Sequence, residues 1–338
     1  MQLRSRVKRT VEDAGDMALP PHPHTPKKKV KPSVAVKGPE PLSDEELVGA
    51  LQDREQYDQE FVKGIDHVLR IDPSLKDIIS QSTFPHFKKA AEDADFRSGC
   101  FMALARGIIG QQVSGAAAKS ILKRFIRIYH PDAPEDSGGL DFPSPQQVLD
   151  TSTDDLRSAG LSGRKTEYIK VLAEAFKNGT LSEEWLFKAS DDDVVDALVD
   201  LKGIGPWSAD MFLLFTLRRM DVFSVGDLGV QRGVANYIKQ RPWVDQELKS
   251  VDWSVPMDGL HSPGKSAKAK ARKPAKTPSQ SKNGSSKWKV PEQKHMEYIA
   301  NKFRPYRTVF QMVTWKLSSV DIAVLEDKKS TTDKYDYY

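Results

Sequence analysis

The sequence has little cysteine and no long apolar run. Cys100 is the only cysteine among 338 residues, so one chain cannot form an intramolecular disulfide, bind an iron–sulfur cluster through several thiolates or build a multi-cysteine zinc site. No stretch approaches the roughly 18 apolar residues that cross a membrane, and the N-terminus lacks the apolar core of a secretory signal peptide. We therefore expect a soluble, intracellular protein.

Positive charge is concentrated in two segments, although the formal charge of the whole chain is only +4. Residues 1–41 carry a net charge of +5 and residues 261–290 a net charge of +9, which leaves −10 for the other 267 residues. Both segments are rich in Pro, Ser and Lys and have too little apolar surface to form a core. They either hold a polyanion through counterion release or serve as solvated linkers. The run PKKKVKP at 26–32 resembles a short basic nuclear import signal, so a nuclear location is expected.

Helical periodicity dominates the remainder of the chain. Apolar residues recur at spacings near 3.6 from residue 43 to 238 and again from 292 to 319, which predicts a mainly α protein. Ser43 and Glu46 have the spacing of a capping box, so order is expected to begin there. Alternating strand patterns are scarce, but a small sheet around residues 75–100 is left open. The predicted organisation is a disordered basic tail at 1–42, a helical domain at 43–319 with a disordered insertion at about 243–290, and a flexible C-terminal tail at 320–338.

A tight Gly-x-Gly turn joins two of the predicted helices. The helix capped by Ser190 ends at Lys202-Gly203-Ile204-Gly205, and Pro206 begins the next. Glycine permits positive φ and a close approach, so the turn is either an ordinary helix–helix corner or a site where backbone N–H groups bind a DNA phosphate. The second helix is apolar nearly all round, which predicts a central buried helix. Trp207 in its first turn belongs to the core or forms a wall on which an extruded base stacks.

Several blocks in this order resemble one family of DNA repair enzymes. They are RGIIGQQVS, GIGPWSAD and DVFSVGD, together with FPSPQQVLDTSTDDLRSAGLSGRKTEYI at 142–169 and FRPYRTVFQMVTW at 303–315. They resemble the helix-hairpin-helix-GPD superfamily of DNA base-excision glycosylases, in its alkylation-repair branch of bacterial and fungal 3-methyladenine glycosylases. The resemblance covers about residues 60–240 and 292–319. It implies a helix-hairpin-helix bundle of two subdomains.

The resemblance implies that Asp227 is the catalytic carboxylate. Breaking an N-glycosidic bond builds positive charge on the deoxyribose, and an anion held near C1′ in a water-poor pocket stabilises that charge. Asp227 also precedes a predicted helix, so without the family pattern an ordinary Asp N-cap is favoured. Asp221 is the nearest other carboxylate, but it does not match the motif. Bifunctional relatives carry a nucleophilic lysine where this chain has Trp207, so no Schiff base can form by that route and hydrolysis alone is expected.

The resemblance also assigns a base pocket and contacts with DNA. Trp207 and Trp315 match aromatic pocket positions, with a core tryptophan as the alternative for Trp315. Met211 stands where the bacterial enzyme has tyrosine, so a pocket of different shape is expected. An aromatic pocket favours a cationic alkylated base by stacking and cation–π attraction. Gln112 matches the side chain that fills the gap left by a flipped base, or it is a surface residue at a helix junction. The DNA backbone is expected to bind at Lys202, Gly203, Ile204 and Gly205.

These features predict a monofunctional DNA glycosylase that excises 3-methyladenine and 7-methylguanine by hydrolysis in base excision repair and leaves an abasic site. Its expected partner is double-stranded DNA with alkylated bases, with no membrane, no cofactor and a monomeric state. The resemblance allows a monovalent cation on the carbonyls of Val199, Leu201 and Ile204, and no other metal is expected. The alternatives are a glycosylase for oxidised or deaminated bases and a noncatalytic helix-hairpin-helix DNA-binding module.

Overall fold

The computed structural model describes residues 37–89, 99–134, 139–254 and 289–319. Regular structure in these ranges is helical, and their β pairing is one isolated bridge between Tyr57 and Lys88. The predicted mainly α architecture is therefore confirmed. Across the same ranges, no helix is both long and apolar enough to span a bilayer. The import-like run, most of the basic tail and insertion, and the C-terminal tail lie outside the described residues.

The α-helices of the described ranges are numbered in chain order. The first eight are α1 (Asp44–Gly49), α2 (Gln59–Ile71), α3 (Lys76–Ser80), α4 (Cys100–Gly110), α5 (Gly115–Arg127), α6 (Pro145–Asp150), α7 (Thr153–Ser158) and α8 (Gly163–Lys177). The others are α9 (Glu183–Lys188), α10 (Asp191–Asp200), α11 (Pro206–Phe215), α12 (Leu228–Gln240), α13 (Pro242–Ser250), α14 (Gln293–Asn301) and α15 (Arg307–Ser319). Short 3-10 helices cover Arg54–Gln56, Pro73–Leu75 and Pro85–Phe87.

Serine side chains begin many of these helices. Each accepts a backbone N–H from the third helical residue, which satisfies one of the amides that lack an intrahelical partner. These serines are Ser43, Ser114, Ser144, Ser152, Ser162, Ser182 and Ser190. Ser43 and Glu46 form the full capping box that the sequence predicts. Local sequence thus fixes where these seven helices start.

The helices form two sets around a continuous hydrophobic core. Helix α8 packs against α4, α6 and α7, while α15 packs against α2, α3 and α12. Helix α11 packs on α10 and α4, and its residues from Met211 to Leu214 are all buried. The expected central buried helix and the two-part helical bundle are therefore both observed.

Two glycines of α12 allow α15 to approach unusually closely. A Cβ on Gly233 would lie 1.9 Å from the carbonyl oxygen of Thr314, and a Cβ on Gly229 would lie 2.8 Å from Cδ1 of Trp315. Larger residues would force the two helices apart. The glycines therefore let α15 bring the Trp315 side chain to the beginning of α12.

The structure corrects one sequence-based boundary and describes part of a region that was left open. The described part of the region left open as a small sheet contains α3 and 3-10 turns up to Phe87. The insertion expected from about residue 243 begins with an ordered helix, α13. Pro242 occupies the first turn of α13, and Val244 and Leu248 are buried against the core, so the ordered chain continues beyond the predicted boundary.

Candidate active site

The two glycines of the hairpin between α10 and α11 have different structural roles. Gly203 has φ of +103°, and a Cβ there would lie 2.2 Å from Cγ of Tyr168 on α8. Gly205 is the N-cap of α11 and has no side-chain cap, and a Cβ on it would meet nothing within 4 Å. The conformation and the close approach of Tyr168 therefore favour glycine at position 203. Gly205 leaves open space at the N-terminus of α11, where the helix dipole favours an anion.

Lys202 of the hairpin is paired with a carboxylate on α8. Its ammonium forms an exposed ion pair with Glu167, and the hydrogen bond with Glu167 raises the pKa of Lys202. Exposed pairs of this kind contribute little to stability. A phosphate bound at the hairpin would therefore exchange one anionic partner of Lys202 for another.

Asp227 lies at the start of α12 and accepts three hydrogen bonds. Its Oδ1 accepts the Val230 amide N–H and the Trp315 indole N–H, both at 2.8 Å. Its Oδ2 accepts the Trp207 indole N–H at 2.8 Å. All three partners donate and none can accept, so the carboxylate is held in one orientation as an acceptor. The N-cap and the predicted catalytic residue are thus one side chain, which is 8% exposed.

The loop before Asp227 is fastened to α15 by hydrogen bonds from its backbone. The Val222 N–H donates to Thr308 Oγ1 at 3.0 Å, and the Ser224 N–H donates to Gln311 Oε1 at 2.7 Å. The Asp227 N–H in turn donates to the Ser224 carbonyl at 3.1 Å. Residues more than 80 positions further along the chain therefore fix the position of the carboxylate.

Asp221 lies earlier in the same loop, and its carboxylate binds two arginine side chains. Its carboxylate accepts Arg307 Nε at 2.6 Å and an Arg304 guanidinium N–H at 3.0 Å. Arg307 also donates to the Asp221 backbone carbonyl at 2.7 Å. This carboxylate therefore ties the loop to the start of α15.

Trp315 and Met211 are both buried. Trp315 is 6% exposed and stacks on Phe215 with 5.9 Å between ring centroids and 10° between planes. The Phe215 ring also meets the His86 ring at 4.9 Å. Met211 is 1% exposed. One face of Trp315 is therefore occupied by the core, and its N–H group is occupied by Asp227.

A small cavity lies between α4 and α11. Its volume is about 30 Å³, which corresponds to only one or two water molecules. Its lining consists of Ala103, Leu104, Gly107, Ile108, Gln111, Ile204, Ser208, Met211, Phe212 and Thr216. A purine is far larger, so a flipped base that enters here must displace side chains of α4 or α11.

Two side-chain hydrogen bonds hold the turn that carries Gln112 in place. Gln112 has φ of +60°, which is unusual for a residue with a side chain. Its neighbour Gln111 donates from Nε2 to the Gly203 carbonyl at 2.9 Å, and Lys165 Nζ donates to the Ile109 carbonyl at 2.6 Å. The turn is thereby tied to both the hairpin and α8. Sequence reasoning missed Gln111, because nothing local marks a contact 92 residues away.

Two apolar side chains next to predicted site residues in the sequence are exposed. Val113 follows Gln112 and is 39% exposed, while Leu228 follows Asp227 and is 46% exposed. Sequence reasoning missed both because each lies within an otherwise ordinary helix start.

The carbonyls suggested for a monovalent cation lie at the end of α10 and in the hairpin. The Leu201 carbonyl accepts the Ile204 N–H at 3.2 Å, and a carbonyl oxygen retains a second lone pair for a cation. Helix C-termini also favour cations, so the donor chemistry fits and the cation site stays a prediction. Among the residues that the structure describes, no group of three His, Cys, Asp or Glu side chains could hold a metal.

Comparison with known proteins relates this arrangement to DNA repair. A family model described as HhH-GPD superfamily base excision DNA repair protein matches residues 105–249. The DNA-3-methyladenine glycosylase of Saccharomyces cerevisiae is 33% identical over 274 residues, which are 79% of this chain and 82% of that protein. DNA-3-methyladenine glycosylase 1 of Schizosaccharomyces pombe is 31% identical over 146 residues, which are 43% of this chain and 60% of that protein.

A solved structure agrees with these matches. The DNA-3-methyladenine glycosidase of Bacillus halodurans has a TM-score of 0.50 at 25% identity, covering 76% of this chain and 89% of that chain. The family match contains both the hairpin and Asp227. From this match and the S. cerevisiae relative, we conclude that the chain belongs to the HhH-GPD superfamily of base excision DNA repair proteins.

Proposed function

We propose that this protein is a monofunctional DNA glycosylase that excises alkylated purines from double-stranded DNA by hydrolysis. The observation that carries the proposal is the Asp227 carboxylate, which two indole N–H groups and a helix N-terminus hold beside the hairpin. Relatives named DNA-3-methyladenine glycosylase support this reaction class.

The proposed chemistry uses Asp227 as an electrostatic partner of the deoxyribose. As the N-glycosidic bond breaks, its electron pair moves to the purine and positive charge develops at C1′ and the ring oxygen. An alkylated purine already carries a positive charge, so it leaves as a neutral base and needs little acid catalysis. Water then forms a bond to C1′ and loses a proton to Asp227 or to solvent. A carboxylate fixed beforehand needs little reorganisation as the charge develops.

Trp207 supports hydrolysis without strand cleavage. A lyase reaction through a Schiff base requires an amine that attacks C1′, and the position of that amine in bifunctional relatives is Trp207 here. Its indole N–H donates to Asp227, so this residue orients the carboxylate and offers an aromatic surface. We infer that Trp207, Trp315 and Met211 form the base-binding region and select a cationic base through stacking and cation–π attraction.

The DNA contacts in this proposal come from three places. The open face of Gly205, with Lys202, Gly203 and Ile204, receives a backbone phosphate. Gln112, on its braced turn, enters the minor groove and fills the space left by the flipped base. The basic segments add nonspecific attraction. The protein is proposed to act as a monomer in the nucleus.

Base release from a panel of DNA duplexes tests this function. Duplexes containing 3-methyladenine, 7-methylguanine, hypoxanthine or 8-oxoguanine are incubated with the full chain, and the released base is identified by mass spectrometry. The proposal expects release of the two methylated purines, an abasic product, and no covalent adduct after borohydride reduction. Release of 8-oxoguanine in preference to the methylated purines would favour the other glycosylase specificity. Binding with no release from any duplex would show a noncatalytic DNA-binding module.

A further inference from the structure

One side-chain hydrogen bond joins the two turns to which the proposed function assigns DNA contacts. The Gln112 turn, residues 110–114, connects α4 to α5, and the hairpin connects α10 to α11. Gln111 Nε2 donates to the Gly203 carbonyl at 2.9 Å, although 92 positions separate the two residues in the sequence. The bond therefore links the neighbour of Gln112 to a residue two positions before Gly205.

The backbone conformation of Gln112 depends on its surroundings. Gln112 is exposed and has φ of +60°, which residues with side chains seldom adopt unless neighbouring structure holds them there. Gln111 is half-buried and is the C-cap of α4, and its backbone N–H donates to the Ile108 carbonyl at 3.3 Å. Because Gln112 follows directly, the direction in which its side chain leaves the protein depends on where Gln111 is held.

The first turns of α8 contact both of these regions. Lys165 Nζ donates to the Ile109 carbonyl near the end of α4 at 2.6 Å. The Tyr168 ring lies so close to Gly203 that a Cβ there would be 2.2 Å from its Cγ. Helix α8 therefore supports each turn separately, and the Gln111 bond connects the two turns directly.

We propose that Gln111 is a positioning residue that sets the spacing between the phosphate contact at Gly205 and the entry of Gln112 into the gap left by a flipped base. A phosphate bound at the hairpin fixes the DNA, and the Gln111 bond then directs Gln112 to one base step in the minor groove. Without this bond Gln112 fills the gap less often, and the damaged base returns to the stack before it is excised. This inference rests on the proposed glycosylase function and on the roles proposed there for Gln112 and Gly205.

A direct contact between Gln111 and the flipped base is the competing role. Gln111 lines the small cavity together with Met211, which belongs to the proposed base-binding region. A contact with the base would affect every substrate. A residue that positions Gln112 matters chiefly when the base must be drawn from a stacked pair, because an unpaired base costs less to extrude.

Single-turnover excision of 7-methylguanine from two duplexes distinguishes these roles. The lesion lies opposite cytosine in one duplex and opposite a tetrahydrofuran abasic analogue in the other. Gln111→Met keeps the length of the side chain but removes the N–H donor, so excision of the paired lesion should slow about 3- to 10-fold. Excision of the unpaired lesion should change less than about twofold. Gln111→Asn, whose amide is one methylene shorter, is a second variant that should show the same selective loss.

Gln146→Met is the matched control. Gln146 is exposed on α6, and its Nε2 donates to Asp150 Oδ1 at 2.7 Å. The control makes the same chemical change and removes a hydrogen bond of similar length away from both turns. Both excision rates should stay at their wild-type values.

A double variant tests whether Gln111 acts through Gln112. Gln112→Ala should also slow excision of the paired lesion. The double variant Gln111→Met/Gln112→Ala should be no slower than Gln112→Ala, since the Gln111 bond has no wedge left to direct. A loss of activity caused by general destabilisation would add to the effect of Gln112→Ala.

Filling of the gap can also be measured without base release. A 2-aminopurine placed opposite a tetrahydrofuran abasic analogue changes its fluorescence when a side chain enters beside it. At saturating protein, the wild type and Gln146→Met should give the full change, whereas Gln111→Met and Gln112→Ala should lose most of it.

The outcomes separate this inference from the glycosylase proposal. If the wild type released no methylated purine but its fluorescence response still required Gln111 and Gln112, the function would be contradicted and the positioning role would stand. Equal slowing on both duplexes would assign Gln111 a contact with the base and overturn the positioning role. Unchanged excision of the paired lesion by Gln111→Met, or additive losses in the double variant, would overturn it as well.

Discussion

The hairpin and the Asp227 loop both connect helices at the same site, but they are held in different ways. The hairpin depends on its own backbone: Gly203 adopts φ of +103°, and Pro206 begins the next helix. The Asp227 loop depends on side chains from distant segments, chiefly Thr308, Gln311 and Trp315 of α15. A local motif therefore suffices for the proposed phosphate contact, whereas the proposed catalytic geometry requires the complete fold.

Among substitutions that distinguish the hairpin from the Asp227 loop, Trp315→Phe should have the largest effect on the excision rate. The change removes the N–H that binds Asp227 Oδ1 but keeps a ring that can stack on Phe215. Hydrogen bonds to charged groups are worth about 1.5–3 kcal/mol, so the single-turnover excision rate should fall about 10- to 100-fold. Affinity for abasic DNA should change little.

Trp253→Phe provides the matched control for this substitution. The Trp253 indole donates to the Leu248 carbonyl at 3.0 Å, away from Asp227. It should lower the melting temperature slightly and leave the excision rate unchanged. If both variants lost the same fraction of the excision rate, the loss in Trp315→Phe would reflect general destabilisation and not the missing hydrogen bond to the Asp227 carboxylate.

Substitutions of the two hairpin glycines should have the next largest effects, on stability at Gly203 and on DNA binding at Gly205. Gly203→Ala introduces a Cβ at positive φ against the Tyr168 ring, so it should lower the free energy of unfolding by about 1–3 kcal/mol. Gly205→Ala meets nothing within 4 Å, so its melting temperature should stay unchanged while DNA binding weakens about tenfold because a phosphate can no longer approach closely. Unchanged DNA affinity for a folded Gly205→Ala variant would contradict the phosphate contact.

The smallest effect is expected from the basic insertion at 261–290, most of which lies outside the described residues. Deletion of residues 261–290 removes nine Lys and Arg side chains, so binding to any DNA should weaken severalfold at low salt and depend less steeply on salt concentration. The ratio of rates on 3-methyladenine and 7-methylguanine should not change. The slope of the logarithm of affinity against the logarithm of salt concentration is the measurement, and an unaltered slope would remove the segment from the DNA interface.

Much of the fold follows from local sequence. The serine at position 43, the turn at 203–205 and the apolar run of α11 mark their elements directly, and the structure has all three. The spacing of α12 and α15 could not be predicted in this way. It depends on whether Gly233 faces the Thr314 carbonyl, which is a property of packing between segments far apart in the chain.

The candidate site was also predicted only in part: its residues were identified from the sequence, but the contacts between them were not. Asp227, Trp207 and Trp315 were identified by resemblance, but their mutual hydrogen bonds were not, because sequence spacing carries no information about which atoms meet. The hydrogen bond from Gln111 to the Gly203 carbonyl was missed for the same reason. The contacts missed are those between residues separated along the chain that meet only in the folded protein.

The most direct test of the account is the single-turnover rate of 3-methyladenine release by Asp227→Asn on DNA bound in advance. The carboxamide keeps the size of the side chain but lacks the negative charge, so the rate should fall at least about 100-fold, equivalent to about 2.7 kcal/mol. DNA affinity should stay close to that of the wild type. Asp154→Asn removes an equal charge from an exposed helix start on α7 and should release the base at the normal rate. Normal turnover by Asp227→Asn would contradict the central role of this carboxylate.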